Sequence, residues 1–280
     1  MMRESPQKAK RSFKSRLYFI GFKIRFRLIS RKQSARWTGF CIGLLDHRDF
    51  HAIDDALYEE SAIYRSDEHN GRGLFDWEEK CLSGYFPSTG SLLVIGAGGG
   101  REVLALAKRG YDVEGYECNL ALVEFANEFL VRQGCKGTVS FLDRDCAPIG
   151  QNSYDGAIVG WSAYMLIPGR QRRIAFLRAL NGQLKEGSPL LLSFFTRAPN
   201  VPYLSEVRDK GARIRRLRHK ELVELGDDLG PNYIHRFTRE EIERELAEAE
   251  FSLAFYGPQG AGYYDSGHAV GIKRGTASTK

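Results

Sequence analysis

A run of glycines lies between a strongly apolar segment and a helical pattern near the middle of the chain. The segment 94–100 reads Val-Ile-Gly-Ala-Gly-Gly-Gly. Glycine has no Cβ, so a ligand can approach the backbone, and the first turn of the following helix offers free N–H donors. The pattern predicts a cofactor loop, and nucleotide-binding folds of several kinds share it. Its residues are Gly96, Ala97, Gly98, Gly99 and Gly100.

An acidic residue ends the next predicted strand. Glu117 closes the segment 112–117 and follows Gly96 by twenty-one residues. A carboxylate there can accept both hydroxyls of a ribose, in nicotinamide sites and in S-adenosylmethionine sites alike. The alternative is a solvated acid at a strand end. A dinucleotide fingerprint would place a third glycine at position 101, where this chain has Arg101, and this departure argues against a dinucleotide.

Two further segments help to decide between the two cofactors, a nicotinamide dinucleotide and S-adenosylmethionine. Residues 141–148 read Phe-Leu-Asp-Arg-Asp-Cys-Ala-Pro, and residues 153–159 read Ser-Tyr-Asp-Gly-Ala-Ile-Val. This pattern closely resembles the class I S-adenosylmethionine-dependent methyltransferases, in which an acid after the third strand meets the adenine amino group and a Tyr/Phe-Asp pair opens the fourth strand. The resemblance covers roughly residues 85 to 275 and includes the order of the predicted elements.

The resemblance implies S-adenosylmethionine as cofactor and a role for single residues. It assigns the glycine loop to the methionine moiety, Glu117 to the ribose, and Asp145 with the Cys146 backbone to the adenine edge. Asp143 competes for the adenine; Asp145 is preferred because it lies nine residues before Tyr154. A nucleophilic role for Cys146 is the alternative, although no partner base is evident nearby. Beyond the loop, the expected cofactor-binding residues are Glu117, Cys118, Asp145, Cys146 and Trp161.

The methyl acceptor is expected after the fourth strand, because open α/β sheets bind ligands beyond the carboxyl ends of their strands. Trp161, Ser162, Ala163 and Tyr164 stand there. They lack the Asn/Asp-Pro-Pro-aromatic tetrad that marks amino-group methylation of nucleobases or glutamine in this family, which argues against an adenine-N6 enzyme. Methyl transfer from a sulfonium needs alignment and, for some acceptors, removal of a proton. Tyr164 and His235 are the predicted catalytic residues; for His235 a structural role is an equal alternative.

Further polar and aromatic residues before the sheet belong to a predicted helical cap, which folds over the cofactor in many small-molecule methyltransferases. No pair of metal ligands recurs at helical or turn spacing around a third, so no metal is expected. The residues of the cap that we expect closest to the cofactor are Tyr64, His69, Asn70, Trp77 and Glu78.

Short apolar runs alternate with helical patterns from Leu92 onward, which predicts an α/β fold. We expect a doubly wound, seven-stranded, mostly parallel sheet with an antiparallel C-terminal hairpin and an N-terminal helical cap. A capping box at Thr238 and Glu241 predicts the start of the last helix. The predicted strands are 92–96, 112–117, 138–142, 154–159, 189–195, 251–256 and 268–273, and the main helices are 100–109, 119–133 and 170–185.

Charge divides the chain into segments. Residues 1–36 hold twelve basic residues and one acid, whereas the other 244 hold 29 basic and 34 acidic residues. We expect a basic arm at 1–36, the cap at 37–88 and a Rossmann-like methyltransferase domain at 89–280 with an insertion at 196–233. The arm fits a disordered or self-packed segment, an organelle transit peptide, or a docking element for anionic membrane or nucleic acid. The basic cluster 213–220 fits an attraction for an anionic acceptor or a solvated helix face.

These observations predict a cytoplasmic enzyme that methylates a small molecule. Five cysteines without a C-x-x-C pair fit a reducing compartment, and no apolar run is long enough to span a bilayer. Methylation of RNA or protein is the alternative within the family. A nicotinamide-dependent oxidoreductase and a non-catalytic binding protein of the same fold are the alternatives outside it.

Overall fold

The computed structural model describes residues 31–149, 153–258 and 266–275, together with Lys14, Leu17 and Tyr18. The chain forms two compact units. The first, here the helical unit, comprises residues 1–60 and 200–234; the second, the sheet unit, comprises residues 61–199 and 235–280. The predicted cap at 37–88 is divided between them after Glu60, and its role over the cofactor stays a prediction.

The helical unit is built on two helices that pack closely. Its elements are α1 (Arg31–Leu44), α2 (His47–Glu60), α8 (Pro202–Leu217) and the strand β6 (Asp227–Leu229), which pairs with β7 (Tyr233–His235). A Cβ on Gly39 of α1 would stand 2.5 Å from the carbonyl oxygen of Val207 on α8. Only glycine permits this approach of the two helices.

Part of the predicted arm belongs to this unit. Residues 31–36 begin α1, and Tyr18 is buried, with its hydroxyl donating to the carbonyl oxygen of Pro231 at 3.2 Å. The alternating apolar and basic positions from Phe22 to Leu28 lie outside the described residues. The insertion contains the helix α8; a solvated helix face was one interpretation of its basic cluster at 213–220, but no bounds of a helix were predicted there.

The sheet unit contains the predicted seven-stranded sheet. The strand order is β3-β2-β1-β4-β5-β9-β8; β9 runs antiparallel to both neighbours, and the other described pairs are parallel. The predicted fold class and the C-terminal hairpin are confirmed. The strands are β1 (Ser91–Ile95), β2 (Asp112–Glu117), β3 (Thr138–Phe141), β4 (Gly156–Val159), β5 (Pro189–Phe195), β8 (Phe251–Pro258) and β9 (Ser266–Lys273).

Helices border the strands of this unit. The Thr238 hydroxyl accepts from the Glu241 N–H, and the Glu241 carboxylate accepts from the Thr238 N–H, so the predicted capping box forms. The helices are α3 (Asp67–Gly71), α4 (Asp76–Tyr85), α5 (Arg101–Ala107), α6 (Leu120–Arg132), α7 (Arg170–Gln183) and α9 (Arg239–Glu248), with 3₁₀ turns at Ile63–Arg65 and Tyr164–Leu166.

The core of the sheet unit explains why its central strands are continuous apolar runs. Val94, Ile158 and Leu191 lie side by side on β1, β4 and β5 and share one buried cluster with Val103 of α5 and Phe129 of α6. Parallel strands covered by helices require apolar residues on both faces. Within the described ranges, no helix is long and apolar enough to span a bilayer.

Candidate active site

The glycine loop joins β1 to α5 at the carboxyl edge of the sheet. Gly96, Gly98 and Gly100 have φ angles of 72°, 54° and 94°, in the left-handed region that glycine adopts without steric cost. The N–H groups of Gly96 and Ala97 donate to the carbonyl oxygen of Tyr116 on β2, at 2.8 and 3.0 Å. These bonds fix the start of the loop against the neighbouring strand.

The segment before the sheet approaches the loop most closely at Gly99. A Cβ on Gly99 would stand 2.3 Å from the carbonyl oxygen of Tyr64 and 2.6 Å from the side-chain amide of Asn70. That amide donates to the carbonyl oxygens of Tyr64 and Ser66, at 3.1 and 2.8 Å. A Cβ on Gly98 would meet no atom within 4 Å. The loop is therefore covered at Gly99 and open at Gly98.

Glu117 is buried at the end of β2 and is bonded to the loop. Its Oε2 accepts from the N–H of Gly98 at 2.9 Å, and its Oε1 accepts from the N–H groups of Cys118 and Asn119 at 2.8 and 3.0 Å. The Cys118 thiol, half-buried, also donates to Oε1. A carboxylate offers about four lone-pair sites, so Oε2 retains capacity for a hydroxyl donor. The predicted acid and the predicted loop thus form one constellation.

The residues predicted to meet adenine lie in the turn after β3. Asp145 is half-buried with a φ of 60°, whereas Asp143 and Cys146 are exposed. The N–H of Leu142 donates to the carbonyl oxygen of Glu117 at 3.0 Å and holds the start of this turn beside β2. Although the residue is exposed, partial desolvation of its thiol and the nearby carboxylates of Asp143 and Asp145 raise the pKa of Cys146. This shift opposes the thiolate that a nucleophilic cysteine requires.

The turn after β4 packs against the glycine loop and is strained. A Cβ on Gly160 would stand 2.1 Å from the carbonyl oxygen of Gly96. Ser162 has a φ of 61°, which is uncommon for a residue other than glycine, and its N–H donates to Ser193 Oγ at 2.7 Å. Among the described residues, the buried Ser162 Oγ has no hydrogen-bond partner. Strained backbone and unsatisfied polar atoms cluster at functional sites.

Trp161 presents a large aromatic surface in this turn. It is 44% exposed, and its ring lies edge-on to Phe75, with centroids 5.4 Å apart. The backbone N–H of Trp161 donates to Glu102 Oε1 at 3.5 Å. The start of α4 and the first turn of α5 therefore flank the residue that was predicted to contact the cofactor.

A buried ion-pair cluster lies directly after the loop, and sequence analysis missed it. The Arg101 guanidinium donates to both oxygens of Glu78, at 2.6 and 2.7 Å, and to Glu102 at 2.5 Å. All three residues are at most 4% exposed. Burial raises the pKa of the Glu78 carboxyl, although the bonds to Arg101 oppose that rise. The cluster joins α4 to the start of α5, and no local pattern could reveal a pair 23 residues apart.

The two predicted catalytic residues are in the core. Tyr164 is completely buried, and its hydroxyl donates to Glu245 Oε2 at 2.5 Å; the same carboxylate accepts from Arg173 at 2.7 Å. His235 is 1% exposed and lies 4.6 Å from the ring of Phe237, measured between centroids. Both side chains therefore lie in the core, and their catalytic roles stay predictions.

A second buried histidine received no role from the sequence. His268 on β9 stands opposite Ser193 on β5, and its ring centroid lies 5.0 Å from Trp77 and 5.3 Å from Phe255. Burial lowers the pKa of His268 to about 4. Its imidazole is therefore neutral near pH 7. β9 is buried over five consecutive residues that include His268, and its sequence does not indicate which groups surround the imidazole.

Comparisons with known proteins agree with this architecture. No family model matches the chain. It is 36% identical over 70 residues to an ATP synthase lysine N-methyltransferase of Homo sapiens, covering 25% of this chain and 30% of that protein. It is 27% identical over 106 residues to the protein of the same name from Rattus norvegicus, covering 38% and 46%. The matches span less than half the length of these curated relatives.

A solved S-adenosylmethionine-dependent methyltransferase from Methanosarcina mazei shares the fold. Its TM-score is 0.57 at 20% sequence identity, over 72% of this chain and 99% of that one. The chain thus has the fold of the class I S-adenosylmethionine-dependent methyltransferases, as the resemblance predicted.

Proposed function

We propose that this chain transfers a methyl group from S-adenosylmethionine to a nucleophilic oxygen, nitrogen or carbon atom of a small-molecule acceptor. The observation that carries the proposal is the 2.9 Å hydrogen bond between the Gly98 N–H and Glu117 Oε2. It joins a glycine loop to a strand-end acid at the edge where open α/β sheets bind ligands.

The residues present fit S-adenosylmethionine. Space is open at Gly98 for the methionine moiety, and Glu117 Oε2 keeps an acceptor site for a ribose hydroxyl. The family resemblance assigns Asp145 and the Cys146 backbone to the adenine edge. Cys118 and Trp161 flank these groups. When bound, the cofactor supplies a methyl group on a positively charged sulfur, which is already activated for displacement.

The task of the protein is then alignment and exclusion of water. The turn 160–164 lies against Gly96. In this proposal the Ser162 hydroxyl, which has no hydrogen-bond partner among the described residues, orients an acceptor that carries a donor or an acceptor group. The exposed Trp161 ring offers an apolar wall for a small molecule. We assign no general base to Tyr164 or His235, because both lie in the core.

A protein lysine is the second candidate acceptor. It is favoured by the sequence match to relatives named as lysine N-methyltransferases. A lysine would have to reach the same turn as a neutral amine, since the ammonium has no lone pair for attack on the methyl group.

Methyl-labelled S-adenosylmethionine tests the proposal and separates the two acceptors. The full chain is incubated with a cell extract divided into a small-molecule fraction and a protein fraction. Glu117→Ala, at a cofactor concentration too low to saturate this variant, serves as the control with reduced labelling. Label in the small molecules supports the proposal, and label on protein supports the lysine alternative. A chain that binds the cofactor but labels neither fraction would be a non-catalytic binding protein, contrary to the proposal.

A further inference from the structure

Two arginines of the basic cluster at residues 213–220 stabilise the end of a neighbouring helix. The Arg215 guanidinium donates to the carbonyl oxygens of Ile42 and Leu45, and Arg218 donates to those of Gly43 and Leu44. Carbonyls in the last turn of a helix lack intrahelical donors and attract cations. These two arginines therefore cap the carboxyl end of α1 within the helical unit.

The outward face of α8 is different. Arg213, Arg216 and Leu217 follow the i, i+3, i+4 spacing that places side chains on one helix face. Both arginines are exposed, Leu217 is 84% exposed, and Leu222 beyond the helix end is 48% exposed. Capping of α1 does not account for this combination of cationic and apolar groups, because none of these four residues takes part in it.

A cavity of about 350 Å³ lies on this outward face. Its lining includes Arg208, Arg213, Arg216 and Leu222, together with one acidic residue, Asp209. The Asp209 carboxylate is paired with Arg208 at 2.8 Å, whereas Arg213 and Arg216 are exposed residues of the same lining. Guanidinium groups that converge on a cavity favour a phosphate, because their N–H groups match its oxygens.

The exposed Leu217 and Leu222 indicate which phosphate-bearing partner this surface fits best. A bilayer surface offers phosphates to the arginines and an apolar boundary to the leucines, as interfacial helices require. A single-stranded nucleic acid would use the arginines together with stacking aromatic rings. No aromatic side chain is among the described residues that line the cavity. The charge of this segment also fits an anionic bilayer, since residues 208–223 contain seven basic and two acidic residues.

We propose that the surface formed by Arg213, Arg216 and Leu217 of α8, with Leu222 beyond its end, docks this protein on an anionic phospholipid bilayer. A headgroup phosphate occupies the cavity, and the two leucines enter the headgroup boundary. This inference does not depend on the methyl-transfer proposal, because every residue that carries it belongs to the helical unit. In this proposal α8 binds the bilayer in addition to packing against α1.

Vesicle co-sedimentation of the full chain tests the docking face. Vesicles of phosphatidylcholine alone are compared with vesicles of phosphatidylcholine and phosphatidylserine. Two variants remove the charges (Arg213→Gln with Arg216→Gln) or the apolar groups (Leu217→Ser with Leu222→Ser). Lys108→Gln with Lys136→Gln is the matched charge control, and Val131→Ser, at an exposed position of the sheet unit, is the apolar control. Thermal unfolding verifies that each variant is folded.

The wild type should bind the anionic vesicles, and added salt should weaken that binding. The arginine variant should lower the partition coefficient about 30-fold, from roughly fivefold for each charge near the surface. The leucine variant should lower it about tenfold, because partly buried apolar area is lost. Both control variants should bind as the wild type does.

Two results would overturn the proposal. If the arginine variant and its lysine control bound equally, the surface of α8 would not be the docking face, and attachment would belong to another basic segment such as residues 1–36. If the leucine variant kept full binding and a single-stranded RNA displaced the vesicles, the arginines would form a nucleic-acid site instead.

Discussion

Two replacements of Glu117 distinguish the contribution of its carboxylate to stability from its contribution to cofactor binding. In Glu117→Ala, the N–H groups of Gly98, Cys118 and Asn119 lose their acceptor. In Glu117→Gln, one side-chain oxygen remains for two of these groups, and the amide nitrogen replaces the oxygen that would accept from a ribose hydroxyl. Glu114→Ala on the same strand is the matched control, because its carboxylate accepts only from the Tyr116 hydroxyl among the bonds that we describe.

The magnitudes follow from these bonds. A hydrogen bond to a charged group contributes about 1.5 to 3 kcal/mol, so S-adenosylmethionine affinity should fall about 10- to 150-fold in Glu117→Ala. Unpaired buried donors cost about 1 to 3 kcal/mol each, but water can reach the open side of Gly98. We expect the alanine variant to lose about 2 to 4 kcal/mol of unfolding free energy. The glutamine variant should recover most of that stability but not the affinity.

Urea unfolding and calorimetric titration with S-adenosylmethionine measure the two quantities separately. The control Glu114→Ala should bind the cofactor with wild-type affinity. The reasoning is refuted if folded Glu117→Gln binds S-adenosylmethionine as tightly as the wild type, since the carboxylate would then only support the loop.

Three further predictions concern the loop and the core. Gly99→Ala should weaken cofactor binding and destabilise the chain by about 1 to 3 kcal/mol, because its Cβ would overlap the Tyr64 carbonyl, whereas Gly182→Ala in open space on α7 should not; thermal unfolding and titration compare them. Tyr164→Phe should cost about 1 to 3 kcal/mol in urea unfolding and leave cofactor affinity unchanged, because the lost bond lies in the core; a turnover defect in a stable variant would restore the catalytic assignment. For His268, the pKa of about 4 against an ordinary 6.5 means that the unfolded chain binds the extra proton, so stability falls as the pH drops from about 6.5 to about 4. His268→Leu should remove about 2 to 3 kcal/mol of the fall between about pH 7 and pH 4.5, and an unchanged pH dependence would show that burial does not control this imidazole.

The sequence predicts the fold well where local patterns carry the information. The bounds of β2 and β5 match the predicted strands, because unbroken apolar or alternating runs are flanked there by glycine and charge. Other ends differ by one or two residues; Tyr154, predicted to begin β4, forms only an isolated bridge with Leu184. The glycine loop and Glu117 were predicted because the order of strand, loop and helix fixes their edge of the sheet.

The contacts that the sequence did not predict join distant parts of the chain. Tyr164 and Glu245 are 81 residues apart, so nothing near Tyr164 indicated that its hydroxyl would turn into the core. Arg101 was interpreted only as a departure from a glycine pattern, although it forms a buried ion pair with Glu78. The helix α8 in the insertion belongs to one unit with residues 31–60. These residues lie more than 140 positions earlier, so no local pattern indicated this packing.

Calorimetric titration of the full chain with S-adenosylmethionine, S-adenosylhomocysteine and NAD tests the central claim most directly. The proposal predicts saturable binding of S-adenosylmethionine and its demethylated product, and no binding of NAD, because Arg101 stands where a dinucleotide loop needs glycine. Saturable binding of NAD without binding of S-adenosylmethionine would contradict it and identify the Gly98–Glu117 constellation as a nicotinamide site.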